Sequence, residues 1–309
     1  MTFTVHPVPS MGAEDVVVDR DGTVWTGTED GAIWALDPAT GSTRRVADTG
    51  GRPLGLELDP SGDALVVCDA ERGLLRVSTT SGAVEVLVDR VAGRPMAFCN
   101  NGAVAADGTI WFSDSSLLHG VAAWKDDFVQ DTRTGRLLRR DPDGTVTVVL
   151  EGLAFANGVA LAADESYVAV AECRGRTVVR LWLTGPRSEQ RDHLVAGLPG
   201  YPDNISRGSD GLIWVTLASP VDPVVEALGK APMAVRRMVT KIPERLQPAP
   251  KRTIRAQAYA DDGTLVHDLD LDAPSTGPGF HMVTGVREHD GRVWMGSLHE
   301  PSVAVHDLA

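Results

Sequence analysis

Four oxygen-bearing side chains recur at one fixed distance before a tight-turn position of the sequence. Each stands eight residues ahead of its turn, and the four are Glu14, Asn100, Asn157 and Asp203. All four asparagines of the chain lie in or beside these positions, so scatter does not explain the placement. Carboxylate and amide oxygens without His or Cys suit calcium or magnesium. The pattern therefore predicts one divalent cation, with coordination positions left open for water or substrate.

A structural role is the competing interpretation of the same residues. Asn and Asp at strand ends often make side-chain-to-backbone turns, and polar groups in a channel also bind water. This explanation suits each residue singly. It gives no reason for one shared offset in four places.

The surrounding sequence predicts the elements that position these side chains. Copies of an Asp-Gly or similar turn followed by a β-branched and aromatic strand begin at Asp21, Ser61, Asp107, Ala163, Asp210 and Asp290. Six copies at mostly regular spacing are typical of the blades of a β-propeller. The sequence thus predicts an all-β fold, in which residues 1–309 form a single six-bladed β-propeller domain.

Blade boundaries follow from the spacing of the copies. We expect the blades at residues 12–50, 51–92, 93–150, 151–199, 200–275 and 276–309, with residues 1–11 adding a strand to the last one. The inner strand of each blade lines the axial channel, so equal offsets become equal heights. The two remaining blades place Leu54 and Val283 at the height of the four oxygens.

Composition limits the functions that the chain can have. A net charge of −13 argues against nucleic acid as a partner, because phosphate binding needs a basic surface. Cys68, Cys99 and Cys173 lie far apart, as expected of buried thiols in a reducing compartment. No export signal and no membrane-spanning run is evident. We expect a cytoplasmic protein with a small-molecule substrate, and the oligomeric state stays open.

Segments spread over nearly the whole chain resemble strictosidine synthase-like proteins in sequence and order. They are GAED from Gly12, GRPLGL from Gly51, DGTIWFSDSS from Asp107, DTRTGRLLRRD from Asp131, FANGVAL from Phe155, LPGYPDNI from Leu198 and EHDGRVWMGSLHEP from Glu288. The chain looks most similar to the branch that contains adipocyte plasma membrane-associated protein. Gluconolactonase, diisopropyl fluorophosphatase and paraoxonase are related propellers. The resemblance implies one catalytic calcium on Glu14, Asn100, Asn157 and Asp203, with Asn204 as an extra ligand.

Two departures from the family pattern change what the resemblance implies. Strictosidine synthase uses a glutamate on the last blade where this chain has Thr284, so amine-condensing chemistry is not expected. Paraoxonase has a second, structural calcium at the positions of Asp15 and Asn101. The amide at position 101 argues against a second ion here.

Two histidines and one loop are further candidates for the site. His281 stands ten residues before the last turn, where relatives also bring histidines near the metal, so a general-base role competes with simple packing. His119 begins a loop that we expect to overhang the channel mouth together with Trp124, because loops at propeller mouths commonly carry binding residues. Thr284 completes the expected substrate pocket.

The segment at about 222–256 breaks the strand pattern and predicts a short helical insertion in blade 5. Apolar residues follow helical spacing at Val224, Leu228, Val235, Met238, Val239 and Ile242, with Pro243 just beyond. Residues 224–255 also hold eight basic residues in an otherwise acidic chain. We expect this insertion to cap the channel. A dimer contact and a membrane surface are alternatives, and the short apolar face makes membrane contact the least favoured.

Together these features predict a hydrolase. The expected function is calcium-dependent hydrolysis of a lactone or small ester at the base of the axial channel, with the ion polarising the carbonyl oxygen and Asp203 handling the proton. One alternative is another reaction of specialised metabolism on the same scaffold, other than a Pictet–Spengler condensation, since fold does not fix chemistry. The second alternative is a non-enzymatic binding propeller whose calcium is structural.

Overall fold

Six four-stranded antiparallel sheets follow one another along the chain, and each forms one blade. The computed structural model describes residues 2–242, 250–271 and 279–308, and the sheets are those found within these ranges. Strand order inside each of the first five blades follows chain order. The predicted six-bladed β-propeller is confirmed.

The first half of the chain forms a closing strand and blades 1 to 3. The closing strand is β1 (Phe3–Pro7). Blade 1 contains β2 (Val16–Val18), β3 (Val24–Gly27), β4 (Ala32–Asp37) and β5 (Ser42–Asp48). Blade 2 contains β6 (Pro53–Leu58), β7 (Ala64–Asp69), β8 (Gly73–Ser78) and β9 (Val84–Val88), and a small ribbon of β10 (Arg90–Val91) and β11 (Arg94–Pro95) follows it. Blade 3 contains β12 (Cys99–Val104), β13 (Ile110–Asp114), β14 (Gly135–Arg140) and β15 (Val146–Leu153).

The second half forms blades 4 to 6. Blade 4 contains β16 (Ala156–Leu161), β17 (Tyr167–Glu172), β18 (Thr177–Trp182) and β19 (Arg191–Ala196). Blade 5 contains β20 (Gly200–Arg207), β21 (Ile213–Pro220), β22 (Ile254–Tyr259) and β23 (Leu265–Leu271). Blade 6 contains β24 (Val283–His289), β25 (Arg292–Ser297) and β26 (Ser302–Asp307).

The first strand of the chain completes the last blade. β1 pairs antiparallel with β26, from Phe3 opposite His306 to Pro7 opposite Ser302. This is the closing strand expected from residues 1–11. It joins the two ends of the chain, and a closed ring leaves few sheet edges open to other chains.

The repeated turns have the backbone that their residues predict. Gly22, Gly108 and Gly211 have φ values of 81°, 87° and 81°, a region that favours glycine. Glu165 takes the same place at a φ of 54° without that freedom. In the first repeat the indole N–H of Trp25 donates to the Asp19 carboxylate at 2.9 Å, which ties the strand to its own turn.

Apolar side chains fill the wedges between neighbouring blades. Each of the six wedges has its own buried cluster in the described residues, such as Tyr167 of blade 4 with Ile205 of blade 5. A seventh cluster lies at the inner strands and contains Leu54, Ala70, Phe98, Phe128, Phe155, Cys173 and Tyr201. The three cysteines are buried and free, as predicted.

Three short α-helices in the described residues stand apart from the blades. They are α1 (Trp124–Gln130), α2 (Pro223–Gly229) and α3 (Met233–Val239), and all three contact one another. The helical insertion in blade 5 is confirmed by α2 and α3, whereas Pro243 lies outside the described residues. The loop expected after His119 is wrong for its second half, because α1 begins at Trp124 and Phe128 is buried among aromatic rings. None of the described helices has the length and apolarity needed to cross a membrane.

Candidate functional site

A cavity of about 160 Å³ lies between the inner strands and the three helices. Its lining includes all four oxygen-bearing residues that the shared offset singles out, which we call the oxygen layer: Glu14, Asn100, Asn157 and Asp203. Leu54 and Met282 contribute from the two remaining blades. The expected Val283 instead packs in the core between blades 5 and 6, so the offset is one residue out in that blade.

Backbone bulges aim three residues of the oxygen layer, Asn100, Asn157 and Asp203, into the cavity. The register of the inner strand shifts between Cys99 and Gly102, between Ala156 and Val159, and between Pro202 and Ile205. Each shift encloses one residue of the oxygen layer and the residue after it. Bulges turn side chains out of the regular alternation and are common beside active sites.

The two asparagines of the oxygen layer keep an oxygen free. The Asn100 amide donates to Ser115 Oγ at 2.9 Å, and Ser115 in turn donates to the Ala156 carbonyl at 2.6 Å. Oδ1 of both Asn100 and Asn157 is buried without a hydrogen-bond partner among the described residues. A buried polar atom with no partner costs about 1–3 kcal/mol, so two such oxygens facing one cavity indicate a site for a cation or another ligand.

Both carboxylates of the oxygen layer have raised pKa values. Burial raises the pKa of Glu14, and the nearby Arg52 guanidinium partly offsets this. Burial raises the pKa of Asp203 well above its usual value, the charge of Glu14 raises it further, and a hydrogen bond with Asn157 lowers it. A positive charge in the cavity would stabilise the ionised form of both carboxylates.

The residues present fit a calcium ion. Two carboxylates and two amide oxygens converge from four blades, and all are hard oxygen donors. No group of three or more His, Cys, Asp and Glu side chains in the described ranges is arranged to hold a metal. The candidate set therefore depends on its amide oxygens, which disfavours zinc or copper.

Close backbone packing fixes Glu14. A Cβ atom added at Gly285 or Gly296 would lie 2.6 or 2.3 Å from the Glu14 carbonyl oxygen. Thr284 Oγ1 donates to that same oxygen at 2.9 Å. Thr284 therefore lies behind the backbone of Glu14, fully buried, and is not itself among the residues that line the cavity in the described ranges. The expected pocket role of Thr284 is replaced by support of Glu14.

Asp15, Asn101 and Asn204 each follow a residue of the oxygen layer in sequence, and none of them lines the cavity in the described ranges. Asn204 is buried and neither polar atom of its side chain has a partner among the described residues, although it is not part of the cavity lining. Asp15 and Asn101, which we call the second layer, satisfy each other. The Asn101 amide donates to Asp15 at 3.2 Å and its Oδ1 accepts from the Val159 N–H at 2.8 Å.

The predicted histidines lie beside the cavity. His281 places Nδ1 2.5 Å from Glu300, and its ring stacks at 6.2 Å from that of His299. The backbone N–H of His119 donates to Ser116 Oγ at 3.1 Å. Neither histidine belongs to the cavity lining found in the described residues, whereas Trp124 does.

An aromatic wall surrounds the oxygen layer, and the sequence reasoning missed it. Phe98, Phe155 and Tyr201 each stand two residues before a residue of the oxygen layer, and all three line the cavity. Phe128 of α1 joins them edge to face, at 6.1 Å from Phe155 and 4.9 Å from Tyr201. The aromatic-x-oxygen spacing occurs three times in the sequence, so the repeat itself was a readable signal.

The insertion is fastened over this wall. Arg174 of blade 4 forms an ion pair with Glu226 of α2 at 2.8 Å, and the Tyr201 hydroxyl donates to the same carboxylate at 3.1 Å. Asp222 caps α2 by accepting from the N–H of Val224 at 2.7 Å. Residues of α2 and α3 line the cavity, which is the cap expected from the insertion.

Comparison with known proteins agrees with this architecture. The SMP-30/Gluconolactonase/LRE-like region matches residues 29–222, and the strictosidine synthase-like N-terminal region matches residues 9–36. Protein STRICTOSIDINE SYNTHASE-LIKE 10 of Arabidopsis thaliana is 32% identical, over 98% of this chain and 87% of the relative. The chain belongs to the strictosidine synthase-like family. Adipocyte plasma membrane-associated protein of Rattus norvegicus, 30% identical over 95% of this chain and 82% of its own length, is another relative of this strictosidine synthase-like chain.

Solved structures support the same fold at lower sequence identity. A gluconolactonase from Xanthomonas campestris has a TM-score of 0.71 at 16% identity, covering 99% of this chain and 89% of its own. Regucalcin from Agrobacterium tumefaciens, described as a calcium-binding protein, has a TM-score of 0.67 at 14% identity, covering 97% and 90%. These likenesses show the propeller fold of the strictosidine synthase-like chain.

Proposed function

We propose that this chain is a calcium-dependent hydrolase of a lactone or small ester, with the reaction taking place at the oxygen layer. The observation that carries the proposal is the pair of buried, unpartnered amide oxygens of Asn100 and Asn157, which face the same cavity as two carboxylates. Glu14, Asn100, Asn157 and Asp203 would hold the ion, with Asn204 as an additional ligand. The calcium-binding description of the regucalcin relative supports this choice of metal.

The chemistry follows from what each group can do. A bound calcium ion would supply positive charge beside the carbonyl oxygen of the substrate. Asp203 would take a proton from water, since it lines the cavity and is partly open to it. His281 is the second candidate for this proton. Its pairing with Glu300 would orient the ring from just outside the lining.

The walls favour a substrate with an apolar body. Phe98, Phe128, Phe155 and Tyr201 surround the oxygen layer, and Trp124 adds a further ring from α1. Sugar hydroxyls against these rings would lose hydrogen bonds to water without replacement. We therefore infer an alkyl or aryl lactone or ester, with its carbonyl group directed to the oxygen layer.

A substrate panel with and without chelator tests the proposal. Phenyl acetate and γ- and δ-alkyl lactones should be hydrolysed in calcium, and chelation should abolish the turnover until calcium is restored. D-Glucono-δ-lactone is the matched polar control and should be a poorer substrate. Equal turnover with chelator present would contradict the role of the metal, and no turnover of any ester would favour a binding propeller with structural calcium.

A further inference from the structure

Arg52 brings a positive charge into direct contact with a proposed metal ligand. Its Nη2 atom lies 3.2 Å from Oε2 of Glu14, and Arg52 and Glu14 are only 8% and 5% exposed. Two positive charges repel strongly when solvent is largely excluded. A guanidinium at this place is therefore unexpected beside a site for a divalent cation.

The surroundings of Arg52 hold its guanidinium against Glu14. A Cβ atom added at Gly12 would lie 2.7 and 2.8 Å from the two terminal nitrogens of Arg52. The guanidinium therefore occupies space that is free only because residue 12 has no side chain. Gly12 also has a φ of +68°, a conformation that favours glycine. The conspicuous glycine of the GAED segment thus makes room for an arginine from the next blade.

Glu14 is the principal side-chain partner of this arginine. Nη1 of Arg52 is buried without a hydrogen bond among the described residues, and it lies 4.0 Å from the carboxylate of the exposed Glu29. The backbone N–H of Arg52 donates to Asp69 at 3.0 Å, which fixes the main chain without neutralising the guanidinium. Arg52 and a bound cation would therefore share one carboxylate.

We propose that Arg52 is an internal competitor of the divalent cation: it positions the Glu14 carboxylate when the site is empty, and it weakens calcium binding so that the ion exchanges. The inference rests on the metal site of the proposed function. It assigns a role to the GRPLGL segment, whose Arg52 does not line the cavity in the described ranges.

The sign of the effect separates competition from ordinary support. Removing one positive charge beside Glu14 should strengthen calcium binding, on the order of tenfold, because the ion then meets less repulsion. Removing a residue that only supported Glu14 would weaken binding instead. Arg52→Lys keeps the charge and loses the planar fork of the guanidinium, so it should bind calcium no more tightly than the wild type.

Calorimetric titration with calcium at fixed pH and ionic strength measures this sign in the full chain. We expect Arg52→Met to bind calcium about tenfold more tightly than the wild type. Arg72→Met is the matched control, because Arg72 is exposed and its guanidinium donates to the Thr49 carbonyl at 2.6 Å. Its calcium affinity should stay within about twofold of the wild type, since surface charges are screened. Thermal melting with and without calcium reports folding of every variant.

Four outcomes distinguish this inference from the proposed function. Tighter binding by Arg52→Met than by a calcium-binding wild type supports both. Equal or weaker binding overturns the competition and leaves the metal site standing. Calcium binding by Arg52→Met alone supports the competition and overturns calcium dependence of the wild type. Binding by neither protein overturns both.

Arg52→Gln keeps the inference testable if Arg52→Met does not fold. Its neutral amide keeps a polar group on the Glu14 side of the segment and removes the positive charge. Calcium affinity should then rise by about two- to tenfold, because the ion no longer meets the charge of the guanidinium. An affinity that is unchanged or lower in folded Arg52→Gln would overturn the proposal.

Discussion

The oxygen layer and the second layer are neighbours in sequence and opposites in how their polar groups are satisfied. Asn100 and Asn101 share one bulge, yet Oδ1 of Asn100 has no partner among the described residues, while both polar atoms of the Asn101 amide are hydrogen-bonded. Asp15 completes the second layer, where burial raises its pKa to about 7. The backbone N–H of Leu56 donates to the same carboxylate at 2.9 Å.

Buried polar side chains therefore have two different roles in this fold. In the second layer, amide and carboxyl groups bond across blades 1, 2, 3 and 4, so polarity joins the ring. In the oxygen layer the same residue types leave acceptors open towards a cavity. A ligand with positive charge would complete the oxygen layer, whereas the second layer is complete with protein groups alone.

Removing a charge from the oxygen layer should change calcium affinity most. Glu14→Gln or Asp203→Asn should weaken calcium binding on the order of a hundredfold, because each removes one of the two formal negative charges among the four proposed ligands. Calorimetry with calcium measures the change. Asp21→Asn, on an exposed turn, is the control and should keep wild-type affinity. Unchanged affinity in both ligand variants would dismiss the oxygen layer as the metal site.

A change at Asn157 separates binding of the ion from its use. Asn157→Asp keeps an oxygen at that place and adds a negative charge, which should preserve or strengthen calcium binding while making the ion a weaker electrophile. Ester turnover should fall about tenfold to a hundredfold in protein that is folded and loaded with calcium. Steady-state kinetics and calorimetry on one preparation give both quantities. Full activity with retained metal would point to a structural ion.

Alanine at the two adjacent asparagines gives the sharpest contrast, because one variant should change stability and the other calcium binding. Asn101→Ala should lower the free energy of unfolding by about 2–4 kcal/mol, because it leaves the Val159 N–H and the Asp15 carboxyl short of partners. Asn100→Ala should cost about 1 kcal/mol or less in calcium-free protein and weaken calcium binding about tenfold. Urea unfolding and calorimetry measure the two quantities. The reverse pattern would show that the layers have been assigned the wrong way round.

Much of this arrangement was readable from the sequence. The Asp-Gly turns predicted six blades, and the shared offset selected four residues that line one cavity, because repeated units place equal offsets at equal heights. The offset was one residue out in blade 6. There the turn is one residue closer to the bulge at Val283 and Val286 than its counterpart in blade 3, so the position equivalent to Asn100 is Thr284, whereas Met282 is the residue that lines the cavity.

Other parts of the site depend on contacts between distant segments, which local patterns do not encode. Phe128 lies on the short helix α1, and it is buried by contacts with Phe155 of blade 4 and Tyr201 of blade 5. Arg52 and Thr284 reach Glu14 from blades 2 and 6, and only the closed ring brings them together. The expectation for Thr284 followed from alignment with a catalytic residue, whereas its hydroxyl is used to hold the backbone of Glu14.

Anomalous diffraction from crystals grown with calcium would locate the ion directly. One calcium ion is expected in the oxygen layer, with Oδ1 of Asn100 and Asn157 and the carboxylates of Glu14 and Asp203 at about 2.3–2.6 Å from it. The second layer should hold no ion. An anomalous peak between Asp15 and Asn101, or ordered water alone at the two amide oxygens in saturating calcium, would rule out the oxygen layer as the calcium site.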